Sequence, residues 1–223
     1  MDWAFIEKHL PLYWEAAGLT FSIAMIGVLL SLAIGLVCSL ILYFRIPVIR
    51  HLVLGYIELS RNTPLLVQLF FLYFGLPKIG VVISSKACAI IGLAFLGGSY
   101  MAEAFRSGLE SVEKTQLEAG YSIGLTQTQV IRYIIFLQAV SVSVPPICAN
   151  IIFLIKETSV FSVVALADLM FVAKDLIGLY YKTDEALFLL VVSYLAILLP
   201  VSIAASLMER RLRYAGFGHS NSV

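Results

Sequence analysis

Long stretches without a formal charge alternate along this chain with short stretches that hold nearly all of its ionisable residues. Five uncharged runs stand out: Ala16 to Phe44, Asn62 to Pro77, Ala87 to Ala102, Tyr133 to Ile155 and Ala186 to Met208. A helix needs roughly 20 apolar residues to cross the hydrocarbon of a bilayer, and the first, fourth and fifth runs reach that length by themselves. The second and third reach it only if helix continues into their charged flanks. The pattern predicts an all-α integral membrane protein with five transmembrane helices, over about 18–44, 60–80, 87–106, 128–156 and 185–209. All five belong to one domain covering residues 1–223.

Composition agrees. Of the 223 residues, 61% are hydrophobic and 13% charged, and the mean hydropathy is +0.96, outside the range of soluble domains in the apolar direction. The first run is longer than a signal-peptide core of about 7 to 15 residues and follows an acidic rather than a basic segment, so it is expected to be retained. Cys38, Cys88 and Cys148 lie in apolar runs without Cys-x-x-Cys spacing and read as buried free thiols. His9, His51 and His219 are scattered, so no metal constellation is expected. The last residues, "GFGHSNSV", read as a frayed tail.

Charge gives an orientation. With five spans, the segments before the first span, around Lys78 to Lys86 and after Ile155 share one side; 45–61, 103–132 and the C-terminal segment share the other. All eight arginines (Arg45, Arg50, Arg61, Arg106, Arg132, Arg210, Arg211 and Arg213) fall on the second side. With Lys114 that side holds nine basic residues against six lysines. The positive-inside rule then expects the N-terminus outside and the C-terminus in the cytoplasm.

The polar insertion "TQLEAGYSIGLTQTQ" (115–129) interrupts this grease. Thr115 and Glu118 have capping-box spacing, Gly124 suits a left-handed helix end, and Thr126 with Gln129 repeats the capping box. The spacing predicts a short cytoplasmic helix over 116–124, then the start of the fourth span. Leu117, Gly120, Tyr121 and Gly124 share one helical face. Two turns are too few for independent stability, so the helix either lies on lipid headgroups or docks on a cytoplasmic partner.

"EAGYSIG" resembles the EAA signature of ABC importer permeases, Glu-Ala-Ala-x-x-x-Gly-x9-Ile-x-Leu-Pro. Glu118, Ala119, Gly124 and Ile134 match it; Gly120 replaces the second Ala, Phe136 the Leu and Leu137 the Pro. "ELSRNTPLLVQLFFLYFGLP" (58–77), "SYMAEAFRSGLESV" (99–112) and "NIIFLIKETSVFSVV" (150–164) look like the polar amino acid branch of these permeases, which includes the histidine, glutamine, glutamate and arginine systems. The resemblance runs in order from about Gly18 to Arg213. It implies a type I ABC importer permease in which Glu118, Ala119, Gly120, Tyr121 and Gly124 form the coupling helix seated on an ATPase subunit. It also implies a cell-membrane location and three kinds of partner: cytoplasmic ATPase subunits, a second permease chain, identical or paralogous, and an extracytoplasmic solute-binding protein.

Local chemistry fits several placements. Thr63 can cap the second helix with Pro64 at its first position. Glu58 with Arg61, and Glu103 with Arg106, are spaced to pair, and both pairs read as structural. No Gly-x-x-x-x-Gly-Lys-Ser/Thr occurs, and no nucleophile, base and acid share a compartment. The chain is therefore expected to be no enzyme, to bind no cofactor, metal or nucleic acid, and to receive energy through a partner.

Intramembrane chemistry gathers in "NIIFLIKETS", where Asn150, Lys156, Glu157, Thr158 and Ser159 are flanked by apolar sequence. Charges so bracketed either mark the outer interface, with Lys156 snorkelling, or face a cavity. The resemblance favours a substrate pathway, with Glu157 toward an ammonium. From Thr158 to Thr183, Asp168, Lys174 and Asp175 divide the apolar residues too finely for another span, which predicts a short external helix or re-entrant element. The reading as a whole is a permease for a polar amino acid. An opine or sulfur-containing amino acid is the alternative within the family, and an ion-coupled carrier the alternative outside it.

Overall fold

The structure, a computed structural model, describes residues 1–212; Arg213, His219 and the C-terminal tail lie outside the described residues. Eight helical elements follow one another: α1 (Trp3–Tyr43), α2 (Ile49–Arg61), α3 (Leu65–Ile79), α4 (Ser85–Glu110), α5 (Lys114–Ser122), α6 (Gln127–Val164), α7 (Leu169–Tyr180) and α8 (Thr183–Leu212). Among the described residues there is no strand. Helices α1, α4, α6 and α8 are long and apolar enough to cross a membrane, and α3 is a shorter apolar helix.

Helix α1 starts at Trp3, not near residue 18. The charges before Ala16 end the apolar run without ending the helix: Ile6, His9, Tyr13, Ala16 and Thr20 keep a buried stripe, while Glu7, Lys8 and Glu15 stay exposed. Asp2 caps the helix by accepting the Phe5 N–H at 3.2 Å. The Asp2 backbone N–H donates to Glu185 at 2.7 Å and the Tyr13 hydroxyl to the Ala186 carbonyl at 2.8 Å. The 41 residues of α1 extend about 60 Å at 1.5 Å per residue, twice the hydrocarbon thickness. Its first third packs with α7 and the start of α8 around Tyr13, Leu169, Leu176 and Leu189.

The central contact is between α1 and α4. Gly27, Ser31 and Gly35 recur every fourth residue, a small-residue stripe that lets two helix backbones approach in the absence of a hydrophobic drive between them. A Cβ on Gly35 would lie 2.8 Å from the Ala102 backbone nitrogen, and one on Gly97 would press on Ser31 and lie 2.6 Å from Leu154. Ser31 donates to the Gly27 carbonyl at 2.7 Å and reaches the Leu93 carbonyl at 3.3 Å. Around this contact Leu65, Leu69, Leu93, Met101, Leu154 and Phe161 form the main core.

The second span differs most from expectation. Residues 49–61, assigned above to a cytoplasmic loop, form an amphipathic helix whose Val53, Ile57 and Ser60 are buried. The Tyr56 hydroxyl donates to the Phe95 carbonyl at 2.7 Å, Ser60 to the same carbonyl at 3.0 Å, and Ser99 to Ser60 at 3.0 Å. Farther toward the N-terminus of α4, Leu65 and Leu69 cover Gly92. Helices α2 and α3 thus follow one another along α4 as one discontinuous element, interrupted at Asn62–Pro64. Thr63 does not cap α3, which has Pro64 at its N-cap; its hydroxyl donates back to the Leu59 carbonyl at 2.8 Å. Gln68 donates to the carbonyls of Ser60 and Thr63 at 3.2 and 3.1 Å. These two side chains satisfy carbonyls that the interruption would otherwise leave bare in an apolar setting.

After Glu157 the last stretch of α6 tightens into a 3-10 turn over Thr158–Val164, and α7 follows from an Asp168 cap.

Candidate functional site

A pocket of about 360 Å³ opens beside the α2–α3 interruption. Arg61, Asn62 and Thr63 come from the interruption, Leu96 and Tyr100 from α4, and Phe153 and Glu157 from α6. The Arg61 guanidinium lies over the Tyr100 ring, 5.2 Å from its centroid, and Tyr100 meets the Phe153 ring at 5.2 Å. One wall therefore offers a cation, another a carboxylate, and aromatic surface joins them. Such a site matches a small solute that carries both charges on a short frame.

The five residues singled out on α6 separate. Glu157 lines the pocket, and among the described residues no ion pair or side-chain hydrogen bond engages its carboxylate. Asn150 donates to the Tyr100 carbonyl at 3.2 Å, so it fixes α6 against α4 beside the pocket. Thr158 is fully buried; it donates to the Ile155 carbonyl at 2.7 Å and lies 3.3 Å from the Tyr194 hydroxyl of α8. Lys156 is exposed, and Ser159 is half-buried. Adjacent helical positions diverge by about 100°, which accounts for Lys156 and Glu157 facing different ways.

Arg61 and Tyr100 were not singled out as site residues from sequence. Arg61 does not pair with Glu58; it approaches Glu103 at 3.7 Å. Glu103 pairs with Arg106 as the spacing predicts, at 2.7 Å. A signal for Arg61 was present: a charge followed at once by Asn-Thr-Pro, directly after a segment with helical apolar spacing, marks a helix interruption.

The polar insertion folds as helix α5, from Lys114 with Glu113 at its N-cap. The capping box at Thr115 and Glu118 does not form, because Thr115 donates to the Glu113 carboxylate at 3.2 Å instead. The second box forms, with Thr126 and Gln129 capping each other's backbone. Gly124 takes φ +84°, left-handed as its position suggests. Gly120 faces inward: a Cβ there would lie 2.6 Å from Ile134 of α6. Glu118, Ala119, Tyr121 and Gly124 are exposed, and beside them Ile123 is 79% exposed. Gln138 of α6 donates to Gln116 at 2.5 Å, so α5 is tied to the helix that carries Glu157.

Comparison with known proteins places this geometry. Residues 27–214 match the family described as binding-protein-dependent transport system inner membrane component. The probable glutamine ABC transporter permease protein GlnP of Bacillus subtilis is 35% identical over 213 residues, covering 93% of this chain and 97% of that protein. The glutamine transport system permease protein GlnP of Escherichia coli is 33% identical over 214 residues, 95% and 98% of the two chains. Among solved structures, an amino acid ABC transporter with histidines has a TM-score of 0.87 at 31% identity, covering 95% of this chain and 99% of that one. The inward-facing MetNI methionine ABC transporter, 18% identical with a TM-score of 0.76, shares the fold. The chain, with the type I importer fold, belongs to the binding-protein-dependent transport system inner membrane component family, as a multi-pass inner-membrane permease subunit of an ABC transporter and not an enzyme.

Proposed function

We propose that this permease carries a polar amino acid into the cell, with its N-terminus outside and its C-terminus in the cytoplasm. The observation that carries the reading is the pocket at the helix interruption, where Arg61 and Glu157, the latter without an ion-pair partner among the described residues, offer opposite charges beside an aromatic surface. A zwitterion leaving water needs both charges matched, since an unpaired one costs several kcal/mol by order of magnitude. Discontinuous helices at such sites are a recurrent transporter device. Relatives named for glutamine transport support the substrate class.

In this reading Glu157 takes the substrate ammonium. Asn150 and Thr158 hold α6 in place, and Lys156 and Ser159 complete the segment along the path. Two permease chains, identical or paralogous, enclose the route, and an extracytoplasmic solute-binding protein delivers the amino acid. A cytoplasmic ATPase seats α5, touching Glu118, Ala119, Tyr121 and Gly124, while Gly120 lets α5 lie close to α6. Orientation rests on charge. With Arg61 moved from a loop into the pocket, eight basic residues remain on the proposed inner side against six on the outer.

The test is uptake by the reconstituted complex. Glu157→Gln should lower uptake at least tenfold while assembly and basal ATP hydrolysis persist, and undiminished uptake would remove Glu157 from the path.

A further inference from the structure

The charged pocket uses one face of α4, through Leu96 and Tyr100. Another face, through Ile91 and Phe95, floors an apolar groove of about 600 Å³ walled by Leu30 and Ile34 of α1 and by Leu52 and Tyr56 of α2. A depression of about 480 Å³ shares Ile91 and Phe95 and carries the groove on along α3. The Tyr56 hydroxyl donates to the Phe95 carbonyl at 2.7 Å, which turns the polar end of that ring into the protein. We propose that this groove holds an acyl chain of an anionic phospholipid, whose headgroup sits on Arg45 and Arg50 at the elbow between α1 and α2.

Depth and charge carry this together. Leu30 and Ile34 belong to the uncharged run from Ala16 to Phe44, so the groove lies at hydrocarbon depth, where what fills it is apolar. Arg45 is the first charge after that run, and Arg50 stands within one turn of Leu52 on the groove wall. The Arg50 N–H donates to the Ile46 carbonyl at 3.1 Å, so both arginines belong to one tight elbow at the end of the groove. Every residue from Phe44 to Leu52 is exposed, and apolar side chains interleaved with arginines suit the boundary between headgroups and acyl chains. No acidic residue occurs between Glu15 and Glu58, and among the described residues no ion pair engages Arg45 or Arg50. Two cations without counter-charges at the membrane surface select an anionic headgroup over a zwitterionic one. A second copy of this chain seated here by the same surface would instead set arginines against arginines, like charge on like.

The test uses the permease with its ATPase in phosphatidylcholine vesicles that carry a trace of photoreactive lipid, either phosphatidylglycerol or phosphatidylcholine with a diazirine in one acyl chain. Labelled residues are mapped by mass spectrometry after irradiation, with the summed labelling of the rest of the chain as reference. The phosphatidylglycerol probe should label Leu30, Ile34 and Ile91 at least fivefold more than the phosphatidylcholine probe does. Replacing both arginines by Gln should bring that ratio down to the reference, while replacing both by Lys should preserve it. If the Gln double variant does not insert, wild type decides. Raising salt from about 0.1 M to 1 M shortens the screening length from about 10 Å to about 3 Å and should lower the ratio severalfold. Equal labelling of the groove by the two probes overturns the proposal, as does a ratio that ignores both the Gln replacements and salt. So does a groove that neither probe labels while Ile34→Cys forms a disulfide with its counterpart in a second permease chain, which would make protein the occupant.

Discussion

Asp168 occupies the turn between α6 and α7 without any solvent exposure. One carboxylate oxygen accepts the Phe171 N–H at 3.0 Å and caps α7, while the other has no partner. Burial pushes this carboxyl up to about 6, against its ordinary 3.8. A raised folded-state value means that its contribution to stability is complete below about 4 and is lost as pH rises through about 6. Asp168→Asn keeps the cap and removes the buried charge, so it should raise the melting temperature in detergent at pH 7.5, by a margin that narrows toward pH 5. Asp168→Ala also removes the charge but loses the cap, worth about 1 kcal/mol, so it should melt below Asp168→Asn at both pH values. Equal pH profiles for wild type and Asp168→Asn would count against the buried charge. Caps are also where residue spacing informs most unevenly. Thr126 with Gln129 was legible because nothing nearby competes for the role, whereas at Thr115 the neighbouring Glu113 took both the N-cap position and the Thr115 hydroxyl.

At the scale of elements, apolar runs fell inside α4, α6 and α8 but stopped short of their ends, by as much as nine residues at the end of α6, and they misread the two places where helix and apolarity part company. Helix α1 continues through charged residues because a helix tolerates charge on an exposed face, and α2 hid in a loop because its apolar residues alternate with Arg50, His51 and Glu58. Spacing put Leu117, Gly120, Tyr121 and Gly124 on one face of α5, but the structure divides them, with Tyr121 and Gly124 exposed. Leu117 and Gly120 turn inward to α6, which leaves Ile123 as the bulky apolar side chain presented outward. Exposed apolar bulk beside polar neighbours is what a docking partner covers. Ile123→Asp should therefore cut transport-coupled ATP hydrolysis at least tenfold in the assembled complex without altering the thermal stability of the isolated permease. Gly120→Leu should instead lower that stability, since the added side chain meets Ile134. The docking role of this face fails if Ile123→Asp hydrolyses ATP at the wild-type rate.

For the whole molecule, the order of family-like segments made the fold legible, but the pocket was only half visible. Glu157 drew attention because a charge bracketed by apolar residues is costly in lipid. Arg61 and Tyr100 did not, because their meeting with Glu157 depends on how three helices far apart in sequence slide along one another, a register that spacing within one helix cannot encode. Orientation is a property at this scale too. In a variant lacking Cys38, Cys88 and Cys148, a cysteine replacing Val82, which is 80% exposed, should react with an impermeant thiol reagent added to intact cells. One replacing the exposed Thr128 should react only after the cells are opened. The opposite pattern would invert the topology and take the docking of α5 with it.

The interruption at Asn62–Pro64 also bears on how the protein is made. The 15 residues of α3 extend about 22 Å at 1.5 Å per residue, short of the roughly 30 Å of hydrocarbon, and α2 brings Arg50, Glu58 and Arg61 with it. Insertion weighs each emerging segment by its own hydrophobicity, and by that measure neither half earns a stable crossing. What completes it is synthesised later: the Phe95 carbonyl that receives Tyr56 and Ser60, and the bare surface of Gly92 under Leu65 and Leu69. The second crossing is therefore expected to wait on α4, with Arg61, Asn62 and Thr63 of a nascent chain that ends before Ser85 held at the bilayer surface until Leu96 and Tyr100 are made.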